Sequence, residues 1–330
     1  MRKEVLCITR ADKTPVLSII CLVYNHESYL HQAIDSLIMQ KMDFPFEILL
    51  GEDCSTDNSR TIIKEYENSN PGYFDIYYRK VNMGATGNGY DLMMRAKGKY
   101  ISFFETDDYY LDPLALQMQV DFLENHPEFI GVTHNYKMVD ENGDAYKVNF
   151  VKKTFLDKPV TLKDFLENGF ITRLSCGIYR NFILDNGDYI IIKTAHHLVG
   201  DLTILSILLS RGDIFLLSKE ISAYRRVEKI GGSSAASLGI TNRAQSLFDH
   251  TCILDKVEAY FNGKVRYDNM RLNDITHYIS KLLHHADGFK YKQLSRMLKQ
   301  ASNHVRWRAC VFVISYPYRK LRWHMKKLQE

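Results

Sequence analysis

The chain has 330 residues, of which 45% are apolar and 25% charged, and its formal net charge is +4. That balance excludes an intrinsically disordered chain and suits one large domain with an appendage. Six scattered cysteines without a CxxC pair argue against a disulfide framework, and segment 1–14 is too polar for a signal peptide.

From Val16 onward, strand and helix signals alternate. Residues 16–23 form a nearly continuous apolar run, as expected of a strand covered on both faces. Leu30, Ala33, Ile34, Leu37 and Ile38 then recur at the spacing of one helical face. Residues 46–50 predict a second strand, followed by a helix over 57–67 with Ser55, Thr56 and Asp57 as cap oxygens. Residues 74–78 predict a third strand. A short helix over 90–96 is stopped by Gly98, and residues 100–104 predict a fourth strand. After Pro113 a helix runs to about Asn125, and a strand over 129–139 ends in the turn 141–144. A strand at 176–179, a helix over 202–211 and a strand at 214–217 lead to Tyr224-Arg225-Arg226. Residues 241–330 are mostly helical, and no stretch approaches the roughly 20 apolar residues that span a bilayer.

The alternation predicts an α/β fold with a mostly parallel sheet flanked by helices. Ligands in such sheets lie beyond the carboxyl ends of the strands. Four polar clusters follow the four strands and should therefore converge. They are Tyr24-Asn25-His26-Glu27, Gly51-Glu52-Asp53, Val81-Asn82-Met83-Gly84 and Glu105-Thr106-Asp107-Asp108.

The last cluster concentrates negative charge at a rigid edge, which is unfavourable without a cation or strong donors. Oxygen ligands of this kind suit Mg²⁺ or Mn²⁺. Acidic residues before a helix also act as caps, but Asp53 and Asn25 on the same edge favour a ligand site. Asp53 is read as a ligand residue and Asp57 as a structural one. Asn82-x-Gly84 with Gly87-Asn88-Gly89 reads as a glycine-rich turn that lets a nucleotide approach the backbone.

In this order the motifs Val23-Tyr24-Asn25, Glu52-Asp53-x-Ser55-Thr56-Asp57, Asn82-x-Gly84 and Glu105-Thr106-Asp107-Asp108 resemble family 2 glycosyltransferases of the GT-A fold. The likeness covers about residues 15–235 and is nearest to bacterial members that build capsules, O-antigens and other surface polysaccharides. It implies an inverting transfer from a nucleotide-diphosphate sugar, usually a UDP-sugar, assisted by Mn²⁺ or Mg²⁺. It divides the chain into an extension at 1–14, a GT-A domain at 15–240 and a basic, mainly helical region at 241–330. Within the domain, about 15–112 would bind nucleotide and about 113–240 would bind acceptor.

The resemblance also implies residue roles. Tyr24, Asn25 and Glu27 would lie by uracil and ribose, Asp53 by the base, and Asn82 and Asn88 by the donor. Asp107 would face the ribose or sugar, and Asp108, with Asp107, would hold the metal. The base that takes the acceptor proton would be Asp201 in Gly200-Asp201, with His196 and His197 as neighbouring competitors. Arg225 and Lys229 would belong to a loop over the diphosphate. Glu105 stands where many members have Asp, and Gly87-Asn88 where many have Arg-Asn.

Charge is unevenly distributed. Residues 241–330 hold 17 Lys and Arg against 7 Asp and Glu. Basic residues beside Trp, Phe and Tyr in this tail fit either an interfacial helix on an anionic membrane surface or a helix packed on the domain. The acceptor implied is a saccharide or lipid-linked saccharide, at a cytoplasmic location or on the inner face of the cell membrane. No zinc spacing or RNA-binding aromatic motif points to nucleic acid. The competing readings are a non-catalytic nucleotide-sugar-binding protein and a sugar-nucleotide pyrophosphorylase, but residues 24–27 lack the glycine-rich, lysine-containing signature of the latter. No G-x-G-x-x-G follows the first strand, against a dehydrogenase.

Overall fold

The computed structural model describes residues 14–146, 151–226, 242–284 and 288–327. The expected domain boundary near 240 and the candidate loop residue Lys229 lie outside them.

The first half winds as the periodicity predicts. Strands β1 (Leu17–Val23), β2 (Phe46–Glu52), β3 (Asp75–Tyr78) and β4 (Tyr100–Glu105) pair in parallel in the order β3-β2-β1-β4. Helices α1 (Leu30–Ile38), α2 (Ser59–Ser69) and α3 (Ala85–Met93) make the crossovers. Leu17, Ile19, Cys21, Val23 and Ile48 are fully buried, because both faces of the sheet are covered. Helix α3 begins five residues before the predicted start, so Gly87, Asn88 and Gly89 lie inside it rather than in a turn.

The second half changes the sheet from parallel to mixed. After β5 (Tyr109–Tyr110) and α4 (Ala115–Asn125) come β6 (Gly131–Val139), β7 (Lys158–Val160), α5 (Leu162–Asn168), β8 (Gly177–Arg180), α6 (Ile191–Thr194), α7 (Asp201–Leu209) and β9 (Ile214–Arg225). Strand β8 inserts antiparallel between β4 and β6, while β9 runs parallel to β6 and antiparallel to β5 and β7. The parallel expectation therefore holds for the first four strands, and beyond β4 the sheet is mixed, with β6 and β9 parallel and the other pairings antiparallel. The predicted four-residue strand at 214–217 is one end of the twelve-residue β9. Its central Ser218-Lys219-Glu220 is exposed and breaks the apolar run, which hides the strand's continuation in the sequence. Register shifts near Asn135 accommodate that bend.

Four helices follow: α8 (Arg243–Tyr260), α9 (Asp268–Leu283), α10 (Tyr291–Gln300) and α11 (Asn303–Lys327). Ile253, Leu254, Val257 and Met270 from α8 and α9 enter the same apolar cluster as Phe103 of β4 and Leu205 of α7. Among the described residues no helix is long and apolar enough to cross a membrane.

One buried cation ties α8 to α9. Arg271 is fully buried and pairs with Asp255 at 2.6 Å and Glu258 at 3.2 Å. Breaking such a pair from one side costs about 3–5 kcal/mol, since the remaining charges lose their partner. Arg271→Leu is expected to lower the unfolding free energy by that amount, read as a lower urea midpoint with an unchanged slope. A loss below about 1 kcal/mol would show that apolar packing alone holds the two helices together.

Candidate active site

The register aligns the carboxyl ends of the parallel strands: Val23 pairs with Glu52, Leu22 with Glu105, and Glu52 with Tyr78. The polar clusters beyond them do converge. Asn25 N–H donates to Ser55 Oγ at 3.1 Å, and Thr56 N–H donates to Asn25 Oδ1 at 2.8 Å. Glu27 Oε2 accepts from Asn58 N–H at 2.8 Å. His26 Nδ1 lies 2.8 Å from Thr106 Oγ1, and Asp53 Oδ1 accepts from Met83 N–H at 2.8 Å. Asp57 takes the N–H groups of Ser59 and Glu27, so the structural role assigned to it fits its bonds. Glu52, fully buried, is held by Arg60 and by Ser55 N–H. Asp53 is buried too, and burial raises its pKa against the pull of the Met83 and Gly84 N–H groups.

Glu105, Asp107 and Asp108 form one acidic group, with a carboxylate oxygen of each within 4.8 Å of the others. Burial, then Asp107 and Asp201, push Glu105 up to about 8. Burial, then Asp107 and Glu105, raise Asp108 well above the usual range. Asp107 Oδ1 is buried without a hydrogen-bond partner. An orphaned carboxylate oxygen inside a group of like charges is a donor set short of a cation, and its all-oxygen chemistry fits Mg²⁺ or Mn²⁺.

Asp201 opens α7 and reaches this group from the other half of the domain. It lines a cavity of about 70 Å³ with Glu105, Ser175, Thr86 and Tyr90. Burial raises its pKa and the Arg173 charge opposes that rise. Its placement depends on a backbone contact between the halves. Thr86 Oγ1 donates to His196 O at 2.6 Å, and Thr86 N–H donates to His197 O at 3.3 Å. Gly84 has φ +75°, and a Cβ there would lie 2.5 Å from His197 O. The close approach permitted by Gly84 is therefore made by the chain's own His197 carbonyl, not by a nucleotide. His196 Nδ1 accepts from Leu198 and Val199 N–H, which commits that ring to the loop leading to Asp201.

Two residues read as donor and loop contacts also bond within the fold. Asn88 is 1% exposed, with Nδ2 donating to Gly51 O at 2.9 Å and Oδ1 accepting from Arg79 Nε at 2.9 Å. It ties α3 to β2 from a buried position. Arg225 is 4% exposed and acts as a clamp beneath the acidic group rather than a loop cation over it. Its N–H donates to Asp108 Oδ1 at 2.7 Å, Nε to Asp107 O at 2.9 Å, and its outer nitrogens to Asp140 O, Glu141 O and Gln32 Oε1. The rings of Tyr29 and Tyr109 lie 4.7 and 5.5 Å from the guanidinium carbon. Asn82 is exposed and closes its own turn, Oδ1 accepting from Gly84 N–H at 2.9 Å. Tyr24 stands half-buried beyond β1.

Arg173 and Ser175 escape the sequence reading. Ser175 Oγ lies 3.4 Å from Asp108 Oδ2, and the Arg173 guanidinium sits 4.8 Å from the centre of the Tyr224 ring. A lone Arg in a mixed segment carries no periodic signal. Tertiary proximity to Asp201 and Glu105 is what marks it.

Removing the Arg225 side chain takes a donor from four acceptors, of which Asp140 O keeps the Gly143 N–H. Arg225→Gln is expected to cost roughly 2–4 kcal/mol in urea unfolding. An unchanged midpoint with weakened UDP binding would instead restore it to a diphosphate role.

Comparison with known proteins gives the family and the fold. An uncharacterised protein of Mycobacterium tuberculosis is 37% identical over 127 residues, 38% of this chain and 37% of that protein. The poly(ribitol-phosphate) β-N-acetylglucosaminyltransferase TarS of Staphylococcus aureus is 30% identical over 176 residues, 52% of this chain and 28% of TarS. The putative teichuronic acid biosynthesis glycosyltransferase TuaG of Bacillus subtilis is 26% identical over 166 residues, 50% of this chain and 63% of TuaG. The matches thus span less than two thirds of each of these relatives. A crystal structure of TarS residues 1–349 with UDP superposes with a TM-score of 0.60 at 18% identity, covering 88% of this chain and 82% of that one. It shares the GT-A-like mixed sheet and helical C-terminal region. The model of glycosyl transferase family 2 matches residues 18–188, more than half of the sequence, and the chain belongs to that family.

Proposed function

We propose that this protein transfers one sugar from a nucleotide-diphosphate sugar, with UDP as the nucleotide, to an acceptor hydroxyl with inversion at the anomeric carbon. The acceptor class is a saccharide or lipid-linked saccharide of a bacterial surface polysaccharide. A lipid-linked acceptor would bring the reaction to the inner face of the cell membrane. The observation that carries this reading is the acidic group at the end of β4, whose Glu105 shares one small cavity with Asp201. The TarS crystal structures bound to UDP and to UDP-GlcNAc support a UDP-sugar donor.

In this reading Tyr24 and Asp53 border the base, and Asn25, Glu27 and Asn82 shape the donor rim through their bonds to the surrounding loops. Asp107 and Asp108 would hold Mn²⁺ or Mg²⁺, with Glu105 beside them. A divalent cation there supplies Lewis-acid stabilisation to phosphoryl oxygens. Asp201 takes the proton from the acceptor hydroxyl as its oxygen bonds to C1. The bond from C1 to the diphosphate breaks, and the diphosphate leaves with the electron pair. Burial keeps Asp201 a stronger base than an exposed carboxylate, while the Arg173 charge limits its rise. Arg173 and Tyr224 belong to the acceptor side of the site.

Two measurements test this. Asp201→Asn is expected to lower kcat about 10²–10⁴-fold while leaving UDP affinity within about two-fold. Equal losses in both would remove Asp201 from the proton-transfer role. Asp107→Asn keeps the backbone oxygen that Arg225 uses, so the clamp is preserved. Calorimetry should show UDP binding that requires Mn²⁺ in the wild type and weakens at least about ten-fold in the variant. Metal-independent binding, unchanged by the substitution, would overturn the metal assignment.

A further inference from the structure

Helix α11 resolves the basic tail into two opposed faces. Val305 and Ala309 are each 1% exposed and, with Phe312, pack on Ile275, Tyr278 and Ile279 of α9. Tyr316, one turn further on, places its hydroxyl 3.3 Å from Ser280 Oγ. At about 100° per residue, these positions make one stripe. Trp307, Cys310, Val311 and Ile314 make another stripe on the opposite side. There Trp307 is 65% exposed and Ile314 80% exposed. A helix already anchored by its inner face has no folding reason to carry Trp, Val and Ile on its outer one.

The charge around that stripe identifies its partner. Arg306 and Arg308 stand at its two flanks, both exposed. Arg306 is engaged with the carbonyls of Leu298 and Lys299, which brings the end of α10 alongside. Residues 290–329 contain eleven Lys and Arg and not one Asp or Glu. A second copy docked through the same patch would set this positive segment against itself. Nucleic acid would match the charge but gives no reason for an aliphatic stripe. An anionic lipid surface matches both, with the apolar stripe in the acyl boundary and the cations among the headgroups.

We propose that the outer face of α11, centred on Trp307, Val311 and Ile314, docks the protein on an anionic membrane surface. Donor binding and sugar transfer are not needed for this docking. The whole chain is tested without nucleotide by co-sedimentation with phosphatidylglycerol vesicles and with phosphatidylcholine vesicles. Binding is expected to phosphatidylglycerol alone, to weaken with salt, and to come with a blue shift of Trp emission. Trp307→Ser with Ile314→Ser alters only exposed side chains and should weaken binding about ten-fold or more while UDP affinity is unchanged. No sedimentation of the folded wild type with phosphatidylglycerol would overturn the proposal. So would phosphatidylglycerol binding that the double substitution leaves intact, since a bare polycation would then suffice. A concentration-dependent dimer abolished by the substitution, with no vesicle binding, would assign the stripe to a second copy. Binding of a duplex oligonucleotide in preference to vesicles would assign the segment to nucleic acid.

Discussion

Three carboxylates held at the edge of one strand are the constraint to which the rest of this structure answers. Glu105, Asp107 and Asp108 repel one another in a place where water screens them poorly. The fold confines them through β9 and its Arg225. The short β5 pairs with β9 so that Tyr109 faces Ala223, and the same register carried two residues further sets Arg225 opposite Asp107. Arg225 then grips Asp108 through its backbone N–H and Asp107 through its carbonyl, leaving the Asp107 carboxylate for a ligand. The guanidinium itself is satisfied by carbonyls, Gln32 and two tyrosine rings. A buried cation therefore stands under the acidic group without capping its open side.

The second half of the domain is positioned against the first by backbone contacts at a few sites. Thr86 and Gly84 receive the carbonyls of His196 and His197, and the next turn of chain delivers Asp201 to the cavity that Glu105 also lines. Carbonyl docking of this kind is short-range and rigid, which suits the proton-accepting role proposed for Asp201. The C-terminal helices extend the same logic. Helices α8 and α9 complete the core behind α7, with the Tyr267 and Ser206 hydroxyls in contact, so the region supporting Asp201 and the region exposing the basic face are one packed unit.

The crossovers, the four strand ends and the chemistry gathered there are legible in the order of the amino acids. Each depends on residues close together in the chain: an apolar run of seven, a helical stripe, an acidic cluster after a strand. Their convergence follows from the handed geometry of parallel sheets. Asp57 as a structural residue was legible for the same local reason, since Asp commonly bonds N–H groups two or three residues away.

Which polar residues border the site and which hold it together is set by contacts between residues far apart in the chain. Asn88 has the composition of a glycine-rich turn around it, yet it lies inside α3 bonded to Gly51, 37 residues away. Arg225 reaches Gln32 across 193 residues, and Asp108 is 117 residues from the N–H it accepts. Arg173 has no local pattern and becomes visible only beside Tyr224 and Asp201. The mixed pairing beyond β4 and the two opposed faces of α11 were hidden in the same way. Periodicity marks an apolar face, but what covers that face is set by non-local packing, and a charged side chain becomes a clamp or a ligand according to the partners the fold brings to it.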